Sequence, residues 1–201
     1  MLNKIAIKLS AEMLKKAEKV NYSQEVYIYG IEIMLSTLLE IIAILVSALL
    51  FSALKEGIIF IFLFMSLRIF SGGYHAETYR KCFRVTVGSF WATLFVANVS
   101  ANLFEEKILY CFLAFASIYI ILRAPIVNKN QPLSSMKIVK NRRRTVITLM
   151  FHLTLINEFL QSDKRLMSMA ILTIGLVAAY MLITDINNTE RRDKGWRLSE
   201  D

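Results

Sequence analysis

Long apolar runs separated by short polar breaks set the pattern of this chain. The runs cover about Tyr27–Leu54, Glu56–Phe70, Phe83–Leu103, Ile108–Leu122, Thr145–Phe159 and Leu166–Ile186. A helix crosses a hydrocarbon core of about 30 Å with about 20 mostly apolar residues. In lipid every backbone polar group must be satisfied within the structure, which favours helices. The pattern therefore predicts an all-α polytopic membrane protein with six transmembrane helices. The second run is the shortest. Gly57–Leu67 is brief for a crossing, so Arg68 is expected near the far boundary or with its stem snorkelling. The first run carries Glu32 and Glu40. A mid-bilayer charge is costly, so Glu40 is expected to face the bundle interior, with Glu32 nearer an interface.

Ahead of these runs, Ile5, Leu9 and Met13 recur near helical spacing against Lys4, Lys8, Lys15, Lys16 and Lys19. That spacing predicts an N-terminal amphipathic helix over 3–19, lying in the headgroup plane. The expected organisation is a single integral membrane domain, 1–201. It has an interfacial segment 1–22, a bundle 27–186 and a charged cytoplasmic tail 187–201. The first residues lack the long apolar core and small-residue cleavage site of a cleaved signal peptide. No internal repeat is evident, which weighs against the inverted-repeat plan of many transporters.

Composition agrees with a membrane setting. Of 201 residues, 56% are hydrophobic and the net charge is +8, with a mean hydropathy of +0.49. The basic residues cluster at the ends of apolar runs rather than along a groove. Membrane topology explains them better than nucleic-acid binding. Alternating six spans collects the N-terminal lysines, the 68–84 segment, the 129–144 loop and the tail on one strongly basic side. The positive-inside rule then predicts both termini and the 68–84 segment in the cytoplasm of a multi-pass cell-membrane protein.

The candidate chemistry sits in one polar island, Arg68-Ile-Phe-Ser-Gly-Gly-Tyr-His75-Ala-Glu-Thr-Tyr-Arg-Lys-Cys82. Cysteine is the best side-chain nucleophile for acyl transfer near neutral pH when part of it is thiolate. A nearby imidazole or positive field raises that part. His75 can serve as the base, and Arg80, Lys81 and Arg84 surround Cys82 with positive charge. The geometry is demanding. Seven residues along one helix separate the two by about 10 Å, and in a strand they point to opposite faces. The segment must bend, and Gly72 and Gly73 permit that. Glu77 orients His75 only if the backbone curls. Arg68 can hold a substrate carboxylate or stabilise an oxyanion. The residues alone also allow plain packing roles for both His75 and Cys82. With only Cys82 and Cys111 there is no disulfide framework. One His and one Cys are too few for a metal site, and His152 lies in another run, so no metal or other cofactor is expected.

The pattern Arg68-x-x-Ser-Gly-Gly-Tyr-His75-Ala-x-Thr-x-x-x-Cys82 closely resembles the accessory gene regulator protein B family, membrane endopeptidases of Gram-positive quorum sensing. A second signature, Ala124-Pro125 followed by Asn128-Lys129-Asn130-Gln131-Pro132, resembles that family's alanine-proline and asparagine-lysine-proline loop. This copy has Asn-Gln between Lys129 and Pro132, a small departure. The resemblance spans nearly the whole chain. It implies a cysteine endopeptidase with His75 and Cys82 as the catalytic pair. Arg68, Gly72, Gly73, Glu77, Pro125, Lys129 and Pro132 would support substrate and shape. The implied substrate is an AgrD-like propeptide whose acidic C-terminal tail is removed through an acyl-enzyme thioester. A side chain of the peptide then closes a thiolactone or lactone ring. The resemblance also implies a homodimer working against membrane lipid. The competing reading is a small exporter of a signalling peptide without proteolysis, for which Glu32, Glu40 and His152 would be the evidence.

Overall fold

The computed structural model describes residues 2–16, 23–74, 78–127, 134–160 and 162–197. Among these residues seven α-helices follow one another: α1 (Leu2–Lys16), α2 (Gln24–Leu50), α3 (Leu54–Ser71), α4 (Tyr79–Leu103), α5 (Glu106–Arg123), α6 (Ser135–Leu155) and α7 (Lys164–Arg197). A π-helical segment, Ile156–Leu160, continues α6. There is no sheet among the described residues; the strand-like pairing is a single parallel bridge between Gly72 and Ile126.

The all-α class holds, but the expected six spans do not. Among the described residues, three helices are long and apolar enough to cross a membrane: Gln24–Leu50, Tyr79–Leu103 and Lys164–Thr189. The reason lies in charge and length. Helix α3 has 18 residues and carries Lys55, Glu56 and Arg68, and α5 has 18 and carries Glu106, Lys107 and Arg123. At about 1.5 Å per residue each reaches about 27 Å, short of the core. The run at Thr145–Phe159 is the second part of a helix that starts at Ser135 and includes Lys137, Lys140, Arg142, Arg143 and Arg144. The inside–outside assignment drawn from six alternating loops loses its basis with the span count.

Polarity is distributed as in a membrane protein. Outward positions of α2, such as Leu38, Ile42, Val46 and Leu49, are exposed, while Ser36 and Glu40 are buried. Without water outside, packing and interior polar contacts hold helices together. Helix α7 is central and packs against α3, α4 and α5. Helix α1 lies on α2 through its small residues, with Ala6 and Ser10 buried and Ile5, Leu9 and Met13 exposed.

Small residues set the α2–α3 contact that positions the site. A Cβ on Gly57 would lie 2.8 Å from the Ala48 methyl carbon, so glycine permits this approach. The two helices are antiparallel about the Phe51–Ala53 turn. From that contact, about two turns back along α2 is Glu40 and about three turns on along α3 is Arg68. At this end of the molecule α3 stops at Gly72. Away from it, an ion pair of 2.6 Å joins Arg165 before α7's apolar stretch to buried Glu56 in the first turn of α3.

Candidate active site

Helix α3 ends because Gly72 and Gly73 both adopt positive φ, +72° and +109°, a region open to glycine at little cost. The turn is pinned by backbone hydrogen bonds. Ile126 N donates to the Ser71 carbonyl at 2.9 Å, and Gly73 N donates to the Ile126 carbonyl at 3.2 Å. The residue after Pro125 is thus bonded to the double glycine. Ala124–Pro125 is a cis peptide, and Asn188 of α7 donates to the Val127 carbonyl at 2.9 Å. The bend expected at Gly72 and Gly73 is present, and the two sequence signatures meet there. His75, Glu77, Lys129 and Pro132 lie outside the described residues.

Arg68 is held in the last turn of α3. Its Nη2 donates to the Tyr74 carbonyl. Its guanidinium carbon lies 5.1 Å from the Phe64 ring centroid and 5.4 Å from that of Tyr180. Such contacts restrain a cation while leaving its charge in place. Its Nε is buried and has no hydrogen-bond partner among the described residues, which leaves a donor available in the site. Tyr180 is fixed in turn by a hydrogen bond with Ser89 of α4.

Cys82 stands in the first turn of α4. Thr78 caps that helix, accepting from Lys81 N at 3.3 Å. The Cys82 thiol is free and half-buried. Across from it on α2 is Glu40, 6% exposed and near enough to interact electrostatically with the thiol. Thr86 follows one turn on, and Arg68 supplies positive charge to both. Three helices thus bring a thiol, a carboxylate and a guanidinium into one partly dehydrated cluster. Beside it, between α2 and α4, lies a groove of about 510 Å³ lined by Ser36, Leu39, Tyr79, Arg80, Phe83 and Arg84.

A second cluster ties the N-terminal helix to this one. Glu32 is nearly buried. It accepts from Asn3 Nδ2 of α1 at 2.7 Å and from the Tyr79 hydroxyl at 2.9 Å. Tyr79 opens the helix that carries Cys82. No group of three or more His, Cys, Asp or Glu that could hold a metal is present among the described residues.

Of the expected site residues that are described, Arg68, Gly72, Gly73, Pro125 and Cys82 all fall at this end of the bundle. Sequence reasoning missed Phe64, Tyr74, Thr86 and Tyr180. Tyr180 carried a signal, being a lone phenol in the aliphatic stretch Leu176–Leu182. Glu40 was expected to face inward and does, but its neighbours follow only from helix packing.

Residues 2–184 match the family model described as accessory gene regulator B. A putative AgrB-like protein 2 of Clostridium perfringens (strain 13 / Type A) is 30% identical over 148 residues, covering 68% of this chain and 67% of the relative. A putative AgrB-like protein of Clostridium perfringens (strain SM101 / Type A) is 24% identical over 197 residues, covering 92% and 91%. No solved structure matches. With a family model running from the start of α1 into the second half of α7, the chain belongs to the accessory gene regulator B family.

Proposed function

We propose that this protein is a membrane cysteine endopeptidase that processes an AgrD-like propeptide. Family membership supports a quorum-sensing role. The observation that carries the finer reading is the half-buried Cys82 thiol with Glu40 and Arg68 near it. A nucleophile needs a proton acceptor and a place for the developing oxyanion. His75 is the proposed acceptor, seven residues before Cys82 in the segment that Gly72 and Gly73 turn. The buried Arg68 Nε–H is the proposed oxyanion donor.

Cys82 attacks the peptide bond between signal and tail, and His75 returns the proton to the leaving amine. The acyl group stays on Cys82 as a thioester. A cysteine or serine side chain within the peptide then takes it, closing a thiolactone or lactone ring. Thioester-to-thioester transfer roughly conserves bond energy, so that ring closure needs no nucleotide. A partly dehydrated site slows competing hydrolysis. Arg80 and Arg84 on the groove suit an acidic tail.

The proposed orientation puts this end in the cytoplasm. Arg68, Arg80, Lys81, Arg84 and Arg144 gather here, and Asn3 and Asn188 both bond to residues at this end. The opposite turns mix Lys55, Glu56, Glu105, Glu106 and Lys107 without a basic excess.

The test is co-expression with the propeptide and mass spectrometry of the products. Loss of the C-terminal tail with the parent protein, and none with Cys82→Ser or His75→Ala, is expected. Processing that survives Cys82→Ser sinks the assignment, and peptide export without cleavage favours a transporter.

A further inference from the structure

We propose that Glu32 is a positioning residue for Cys82: it ties helix α1 to the first turn of α4, so that anionic lipid under α1 steadies the turn that carries the thiol. The inference rests on the reading of Cys82 as the nucleophile. Glu32 is 9% exposed, and both of its carboxyl oxygens are engaged. Oε1 accepts from Asn3 Nδ2 of α1 at 2.7 Å, and Oε2 accepts from the Tyr79 hydroxyl of α4 at 2.9 Å. One buried acid on α2 thus links three helices. Tyr79 is the first residue of α4, and Cys82 N donates to the Thr78 carbonyl at 3.0 Å in the opening turn of that helix. Helix ends fray. The Tyr79 arm holds this end against α2, and Cys82 lies one turn from it.

Helix α1 presents three stripes. Asn3, Ala6 and Ser10 share the face toward α2, where Ala6 and Ser10 are fully buried. Ile5, Leu9 and Met13 form an exposed apolar stripe. Lys4, Lys8 and Lys15 form an exposed basic stripe beside it. An apolar stripe flanked by lysines seats a helix in an anionic leaflet, through burial and charge together. The leaflet is at hand, because α2, on which α1 packs, is long and apolar enough to span a membrane. Seating α1 fixes Asn3, Asn3 fixes one oxygen of Glu32, and the other oxygen holds Tyr79. Releasing this chain frees the turn that places the sulfur against base and substrate. A misplacement of about 1 Å at such a centre can cost about a hundredfold in rate.

The test is the mobility of a nitroxide attached to Cys82, read by electron paramagnetic resonance. The full chain is used in nanodiscs of phosphatidylcholine and phosphatidylglycerol, on a Cys111→Ser background. The same label on Cys111, with Cys82→Ser, is the reference, since that thiol is exposed on α5, away from the clamp. Glutamine at 32 keeps one acceptor and turns the other into a donor. Glu32→Gln should therefore raise the mobile fraction at Cys82 at least about fivefold, and Asn3→Ala should raise it too. Removing phosphatidylglycerol should loosen the parent likewise and leave Glu32→Gln unchanged, with no response at Cys111. A parental spectrum for Glu32→Gln, equal loosening at Cys111, or a lipid response that survives Glu32→Gln overturns the proposal. Mobility that follows the number of copies per nanodisc rather than the lipid assigns the apolar stripe to a second copy and overturns it too. If Glu32→Gln fails to elute as a folded protein, a parental spectrum for Asn3→Ala overturns it instead. The spectra need no peptide. Processing by Cys82→Ser therefore sinks the peptidase reading alone, and parental spectra throughout sink the role of Glu32 alone.

Discussion

The backbone of Gly72 is paired with that of Ile126, joining residues that lie far apart in the chain. A Cβ at Gly72 would sit 2.2 Å from the Ile126 carbonyl oxygen, and φ is +72°. Neither can be relieved by a side-chain rotation.

Gly72→Ala should therefore destabilise the protein by about 1–3 kcal/mol or more and lower processing with it. Gly88→Ala is the matched control, since a Cβ there meets nothing within 4 Å. It should be neutral or stabilise by up to about 1 kcal/mol. Thermal unfolding in detergent distinguishes them, and equal midpoints for the two variants would refute the argument.

Arg68→Lys should lose most processing although it keeps the charge. Lysine lacks the planar fork that bonds the Tyr74 carbonyl while lying over Phe64 and Tyr180. A fall of about tenfold or more in tail release is expected, at about 1.4 kcal/mol per decade. Full activity in Arg68→Lys would mean that charge alone matters.

Asn3→Ala and Tyr79→Phe each remove one arm of the Glu32 carboxylate. Because the arms hold the two oxygens of one carboxylate, their effects should not add. A double-mutant cycle on unfolding free energy should show a coupling of at least about 0.5 kcal/mol. Additive losses would show that the two hydrogen bonds act independently.

His152 is fully buried on α6, with Nε2 3.0 Å from the Ser66 hydroxyl. Burial lowers its pKa from 6.5 to about 4. An unfolded histidine binds its proton first as pH falls, so this contribution to stability is complete above about pH 6.5 and is lost on descent toward pH 4. The melting temperature should fall over that window in the parent. His152→Gln should flatten the dependence, and an unchanged slope would show that other groups control it.

Much of the helical layout was legible, because each polar break interrupts a run that lipid or neighbours would bury. Helices lie over all six apolar runs, and another over Leu2–Lys16. The number of spans was not legible from apolar runs alone. Arg68 and Arg123 belong to the helices they end, and the arginines at 142–144 lie inside one. Hydropathy read those charges as boundaries. The role of the double glycine in turning the chain was visible in composition, but its bridge to Ile126 depends on contact across the bundle. Glu40 could be assigned an inward face from cost alone. That it lies near Cys82 depends on how α2 packs against α4.

Helix α7 runs to Arg197, beyond the apolar run that ends at Ile186. At about 1.5 Å per residue the excess carries it on by about 16 Å. The helix therefore acts as a spacer. A reporter joined beyond Arg197 should therefore stand clear of the headgroups.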